Sequence, residues 1–146
     1  MIDNKQIIVF SLGENEFGFP IDSVSEIIKY VPVTSIPNSS LHVEGACNLR
    51  DKIHTILNIK SILGLDSNIY DKKSSYFIIS NEFDAGVIVD EVKMIISPAV
   101  GDIVEIDTLT THIDRQNIQY IVKDNDKLIF VLNYRDILSR SLIDTM

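Results

Sequence analysis

An all-β fold, two small five-stranded barrels side by side, is predicted by three observations: an excess of β-branched residues, short apolar runs joined by turn residues, and a restart of that grammar halfway along the chain. The 146 residues include 25 Ile and 12 Val against 11 Leu and 3 Ala. Side chains this stiff at χ1 suit a pleated sheet better than a helix, which argues against a mainly helical bundle. With 45% hydrophobic and 23% charged residues the composition is that of an ordinary globular chain, which excludes disorder and low-complexity architectures. The length accommodates one domain or two very small ones.

The elements follow in order. Apolar runs at residues 6–12 and 16–21 flank Gly13-Glu14-Asn15 and read as a β-hairpin. Residues 22–30, with Val24, Ile27 and Ile28, fit either one helical turn or a third strand. Pro32 and Pro37 bracket an extended connection. A second hairpin spans 41–49 and 53–59, turning at Arg50-Asp51-Lys52, and a short helix over 59–63 stops at Gly64. The polar run 66–75 is the best linker. Beyond it, 76–80 and 86–89 flank a turn at 81–84, a strand covers 92–96, and a more polar stretch runs over 97–117. Strands at 118–123 and 128–133 turn at Asp124-Asn125-Asp126, and residues 134–142 read as a terminal helix.

The restart has a register. A shift of 68 residues lays Gly18 on Gly86, Asp22 on Asp90, Val24 on Val92 and Ile27 on Ile95; a shift of 75 lays Leu57 on Leu132, Asn58 on Asn133 and Ile62 on Ile137. The same order of elements in both halves points to an internal repeat, with a seven-residue insertion in the second connection. Short antiparallel strands without crossover helices suggest one small barrel per half. The expected division is a first subdomain over about 15–75 and a second over about 76–134, with the terminal segments 6–14 and 134–142 packing across the halves.

Charge and motifs bound the function. Twenty-one acidic against 13 basic residues give a formal charge of −8, which disfavours nucleic acid and anionic membrane as partners. No apolar run approaches the ~18 residues of a membrane helix, and residues 1–5 do not open a leader sequence. A cytoplasmic protein without direct membrane insertion is expected. The glycine spacing of Gly13 and Gly18 resembles a phosphate loop, but Phe19-Pro20 stands where Lys and Ser/Thr are required. His42, His54 and His112 lie far apart, and Cys47 has no second cysteine, so no metal, cofactor or catalytic residue is expected.

Three segments carry a family resemblance: Val24-Ser25-Glu26-Ile27, then Gly45-Ala46-Cys47-Asn48-Leu49-Arg50 running into Thr55-Ile56-Leu57-Asn58-Ile59, then Val89-Asp90-Glu91-Val92. Their order and spacing over residues 6–139 resemble the CheW family of bacterial chemotaxis couplers. The resemblance implies two pseudo-symmetric five-stranded SH3-like β-barrels with short helices. It also implies a non-catalytic adaptor that links the regulatory domain of the histidine kinase CheA to the cytoplasmic tips of chemoreceptors (methyl-accepting chemotaxis proteins) in membrane-associated arrays. Three positions depart from the family pattern. Asp51 replaces a usual Gly, Thr55 a usual Pro, and Tyr120 a usual Gly of the last hairpin. A diverged scaffold of another kinase or motility pathway, and a small-ligand-binding or hydrolytic barrel, are the alternative readings.

Arg50 is the first candidate partner-binding residue, because a guanidinium at a hairpin end can make a planar two-bond contact with a carboxylate. Glu26 fits two roles: the last residue of a Ser23-x-x-Glu26 capping box, or a surface ion-pair partner that orients Arg50. Asn48 shares a face with Arg50 if the strand continues that far, Leu49 points to the opposite side, and Asp51 shapes the tip. Asp90 reads as a turn residue at a strand end, and Ile27, Ile28, Ile95 and Ile96 as core.

Overall fold

Strands that are apolar on both faces belong in the middle of a layered structure, and the chain holds two hairpins of this kind. The computed structural model describes residues 5–37, 39–104 and 112–144. Its elements are β1 (Ile7–Leu12), β2 (Asn15–Pro20), β3 (Val24–Lys29), β4 (Val43–Leu49), β5 (Lys52–Asn58), α1 (Ile59–Leu63), β6 (Tyr76–Ser80), β7 (Ala85–Val89), β8 (Glu91–Ile96), β9 (Ile103–Val104), β10 (Ile118–Asp124), β11 (Lys127–Leu132) and α2 (Tyr134–Asp144). All of β1 and β7 is buried. By contrast β3 alternates between half-buried and exposed positions, as a strand with one solvated face does.

The strands form two sheets of matching order, β8-β1-β2-β11-β10-β9 and β3-β6-β7-β5-β4. Each sheet contains one parallel contact, β2 with β11 and β7 with β5. Gly18 pairs with Val131 there, and Gly86 with Ile56. Both glycines are forced by close approach: a Cβ would lie 2.5 Å from Ile7 Cγ2 at Gly18 and 2.7 Å from the Ile78 carbonyl oxygen at Gly86. The bulges repeat as well. Ser25 and Lys93 are skipped in the β3–β6 and β1–β8 ladders, and Glu44 and Gln119 in β4–β5 and β10–β11. Beyond β3, Thr34 exchanges two 2.8 Å backbone hydrogen bonds with Ala46 and links the β3 side of its sheet to β4.

The sheets do not divide the chain near residue 75. The hairpin β1–β2 lies in the sheet otherwise built from the second half, and β6–β7 lies in the sheet otherwise built from the first. Sequence similarity between two repeats specifies the order of elements but not which copy pairs with which, so exchanged and unexchanged barrels look the same in the sequence. The third segment of the first repeat is strand β3, preceded by a 3-10 turn over Ile21–Ser23, rather than a helical turn. Of the polar stretch 97–117, residues 105–111 lie outside the described residues.

One large core joins both sheets through the exchanged hairpins, uniting Phe10, Phe17 and Phe19 with Ile56, Leu57, Phe77, Val87 and Leu138. A smaller cluster of Ile7, Val9, Val122, Ile129 and Val131 fills the second barrel. Each such side chain contributes about 1.5–3 kcal/mol by leaving water. The terminal helix is tied into the seam by Tyr134. Its ring stacks on Phe19 with centroids 3.9 Å apart, and its hydroxyl donates to the Ile78 carbonyl oxygen on the other sheet. Burial raises this phenol well above its ordinary value.

Candidate functional site

The tip of the β4–β5 hairpin is a two-residue turn with both central residues in left-handed conformation, Arg50 at φ 52° and Asp51 at φ 67°. That is the geometry of a type I′ turn, whose twist matches the flanking strands and which ordinarily takes Asn-Gly. Arg50 is carried outward, and its Nη2 lies 2.7 Å from Glu26 Oε2. The two side chains are 82% and 22% exposed respectively. Glu26 therefore acts as an ion-pair partner and does not complete a capping box; the Ser23 hydroxyl instead donates to the Pro20 carbonyl oxygen at 2.7 Å. The bulge at Ser25 offsets β3 so that Glu26 pairs with Ile79.

The remaining candidates sit around this pair. Asn48 is exposed in β4 and faces Ile53 across the ladder, itself an exposed apolar residue. The strand ends at Leu49, so the alternation that would put Asn48 and Arg50 on one face is broken by the turn. Leu49 is half-buried against the main core and anchors the tip from beneath. Ile27 and Ile95 are exposed rather than core, while Ile28 and Ile96 are half-buried, as alternation on two edge strands requires. The hairpin is supported at its base by Asn58. Its Oδ1 caps α1 by accepting from the Ser61 N–H (3.1 Å), and its Nδ2 donates to Glu44 Oε1 (2.9 Å) and the Asn68 carbonyl oxygen (2.8 Å). At the Thr55 departure, the backbone N–H donates to the Asp84 carbonyl oxygen at 3.1 Å, a bond the family's proline lacks.

The repeat places a counterpart of this site on the other barrel, with Met94 and Asn125 where Glu26 and Arg50 stand, and Ile95 and Leu128 where Ile27 and Ile53 stand. Met94, Ile95 and Leu128 are exposed, so that position is apolar where the first is charged.

A second cluster escaped the reading of the sequence. Lys60 on α1 is buried; its Nζ lies 2.8 Å from Asp90 Oδ2 and 3.0 Å from Oδ1, donates to the Ile69 carbonyl oxygen at 2.7 Å, and sits 4.1 Å from the Tyr70 ring centroid. Asp90 Oδ2 also accepts from the Gly13 N–H at 2.6 Å, so one carboxylate ties the β1–β2 turn to α1. Tyr70 closes the cluster by accepting from the Lys60 N–H at 3.2 Å, and burial lifts its phenol well above the usual range. Nothing in the run Ile59-Lys60-Ser61-Ile62 distinguishes this lysine from a solvated one.

A groove of about 700 Å³ runs between Asp22, Asn81, Glu82, Tyr120, Tyr134 and Arg135, where the two sheets meet. Arg135 Nε and Glu82 Oε2 pair at 2.7 Å on its rim. Tyr120, the third departure, lines it half-buried under Lys5, whose Nζ is 5.2 Å from the ring centroid. Burial raises the Cys47 thiol above its ordinary value, which suits a core thiol better than a nucleophile. Among the described residues no three His, Cys, Asp or Glu side chains are grouped to hold a metal ion, and no helix is long and apolar enough to cross a membrane.

Comparison with known proteins agrees with this geometry. The model of the CheW-like domain matches residues 6–142. The chemotaxis protein CheW of Helicobacter pylori is 30% identical over 144 residues, covering 94% of this chain and 86% of that protein. CheW of Treponema pallidum is 30% identical over 139 residues, covering 92% and 82%. The crystal structure of the scaffolding protein TtCheW from Thermoanaerobacter tengcongensis superimposes with a TM-score of 0.80 at 35% identity, covering 88% of each chain. With its motifs, its paired barrels and its match over nearly the whole length, the chain belongs to the CheW-like family and is a chemotaxis coupling adaptor.

Proposed function

We propose that this protein is a cytoplasmic, non-catalytic scaffold that joins the cytoplasmic tip of a chemoreceptor to the regulatory domain of the histidine kinase CheA, with the β4–β5 tip as a contact surface. The observation that carries the reading is Arg50: Glu26 holds it, yet it is 82% exposed. A guanidinium has five N–H donors, so one ion pair leaves most of them free for a partner carboxylate. An exposed pair contributes only about 0–1 kcal/mol to folding, so the value of Glu26 is in orienting Arg50. Asn48 and Asp51 extend the polar surface, Ile53 adds an apolar anchor, and Leu49 braces the turn.

Purified protein is to be titrated with a receptor-tip fragment and with the CheA regulatory domain of the same organism, alongside Arg50→Glu. The expected result is binding by the wild type, with affinity lowered at least tenfold by the reversal and little change in melting temperature. Binding to neither partner rejects the function. A sharp fall in melting temperature with binding intact makes Arg50 structural.

The left-handed Asp51 at the contact surface also supports a second reading, a scaffold for a different kinase or motility system. Chemotaxis genes beside this one favour the first reading, and a foreign kinase operon the second.

A further inference from the structure

Asp51 departs from the family pattern at a strained position. A side chain at φ 67° suffers a steric penalty that glycine escapes, and Arg50 before it is also left-handed. The matching hairpin of the other barrel avoids this arrangement. In the Asp124-Asn125-Asp126-Lys127 turn Asn125, which stands where Arg50 stands, is left-handed, and Asp126, which stands where Asp51 stands, is not. Chain reversal between these strands therefore does not require an acidic residue in left-handed conformation.

The Asp51 carboxylate is also unengaged among the described residues. It is exposed and has no hydrogen bond or ion pair with any described residue, whereas Arg50 beside it is engaged by Glu26. The tip thus shows a partner an oriented guanidinium and, one residue on, an unpaired negative charge. An uncompensated carboxylate at an interface repels an acidic surface and is relieved by a cation.

We infer that Asp51 is a specificity-determining residue, requiring of the receptor tip a basic side chain beside the acidic one that Arg50 engages. On a helix, an acidic and a basic residue one turn apart meet this need, since residues three or four apart are neighbours. The inference rests on the proposed function, with the receptor tip as the partner that meets Arg50, and it goes further by setting the charge pattern that a cognate receptor must carry.

The test measures binding of the full-length protein to the receptor-tip fragment at low and high ionic strength, with Asp51→Asn, Asp51→Gly, Asp51→Lys and Arg50→Glu. Asn removes the charge while tolerating the turn; Gly removes both charge and strain. Asn and Gly are expected to weaken receptor binding about fivefold at low salt, the scale of one exposed charge pair, and Lys to weaken it further. The difference from wild type should shrink at high salt, and Gly should raise the melting temperature by about 3 °C. Wild-type affinity in Asn, Gly and Lys, with Arg50→Glu defective, overturns this inference and leaves the proposed function standing. A wild type that does not bind the receptor tip overturns both.

Discussion

Two ion pairs of nearly equal length divide the work of this molecule. Arg50–Glu26 spans 2.7 Å and Lys60–Asp90 spans 2.8 Å, but the arginine is 82% exposed and the lysine 7%. The exposed pair sits at the tip of a hairpin, on a turn whose backbone is strained. The inner pair joins α1, the linker residues Ile69 and Tyr70, and the β1–β2 turn of the opposite sheet. Length says little about the role of an ion pair; burial and the number of groups sharing the charge say more. The inner pair holds the two barrels in register, and the outer pair presents a charge.

The largest expected effect comes from breaking the inner pair. Lys60→Met leaves the Asp90 carboxylate without its cation, and such a loss costs about 3 kcal/mol. Urea unfolding measures it directly. The double variant Lys60→Met/Asp90→Leu should recover part of the loss, because removing both charges lifts the desolvation penalty. Equal destabilisation by the two variants would mean that packing, not charge, holds this junction.

A second effect should appear at high pH. Burial raises the phenols of Tyr70 and Tyr134 above their ordinary value of 10.0 in the folded protein. Above about pH 10 the unfolded chain releases phenolic protons that the folded protein keeps. Stability is therefore full below that pH and falls as pH rises, by about 1.4 kcal/mol per unit for each tyrosine. Tyr134→Phe should be less stable at neutral pH, through loss of its bond to Ile78, yet show a shallower alkaline slope. An unchanged slope would remove Tyr134 from the account.

The smallest stability effect belongs to the outer pair. Glu26→Gln should change unfolding free energy by less than about 1 kcal/mol. Receptor binding should nevertheless weaken, because Arg50 loses the group that orients it. If Glu26→Gln unfolds the protein as readily as Lys60→Met, the contrast between the pairs fails.

Much of the fold is legible in the sequence. Apolar runs around turn residues located the hairpins, and the shifts of 68 and 75 residues coincide with the paired glycines and with all four bulges. Beyond the expectation that residues 6–14 pack across the halves, the exchange of the whole hairpins β1–β2 and β6–β7 between barrels was not legible, since either pairing satisfies the same apolar pattern. At the site, Arg50, Asp51 and Asn48 could be placed at a hairpin tip from turn chemistry alone. Glu26 stayed open between a cap and an ion pair, because both use the same carboxylate, and only the strand conformation of β3 decides. Lys60 went unseen for a different reason: its partners Ile69, Tyr70 and Asp90 lie 9, 10 and 30 residues away, and the spacing carries no periodic signal.

The central claim is that a partner reads the outward guanidinium of Arg50, while Glu26 only positions it. The most direct measurement compares receptor-tip and CheA regulatory-domain binding by the wild type, Arg50→Glu and the charge swap Glu26→Arg/Arg50→Glu, with a melting curve for each. The swap rebuilds the ion pair but reverses the charge presented at the tip. The expected result is wild-type melting for the swap and binding as poor as that of Arg50→Glu alone. Recovery of binding by the swap would contradict the claim, because it would make the pair itself, and not the exposed arginine, the feature that matters.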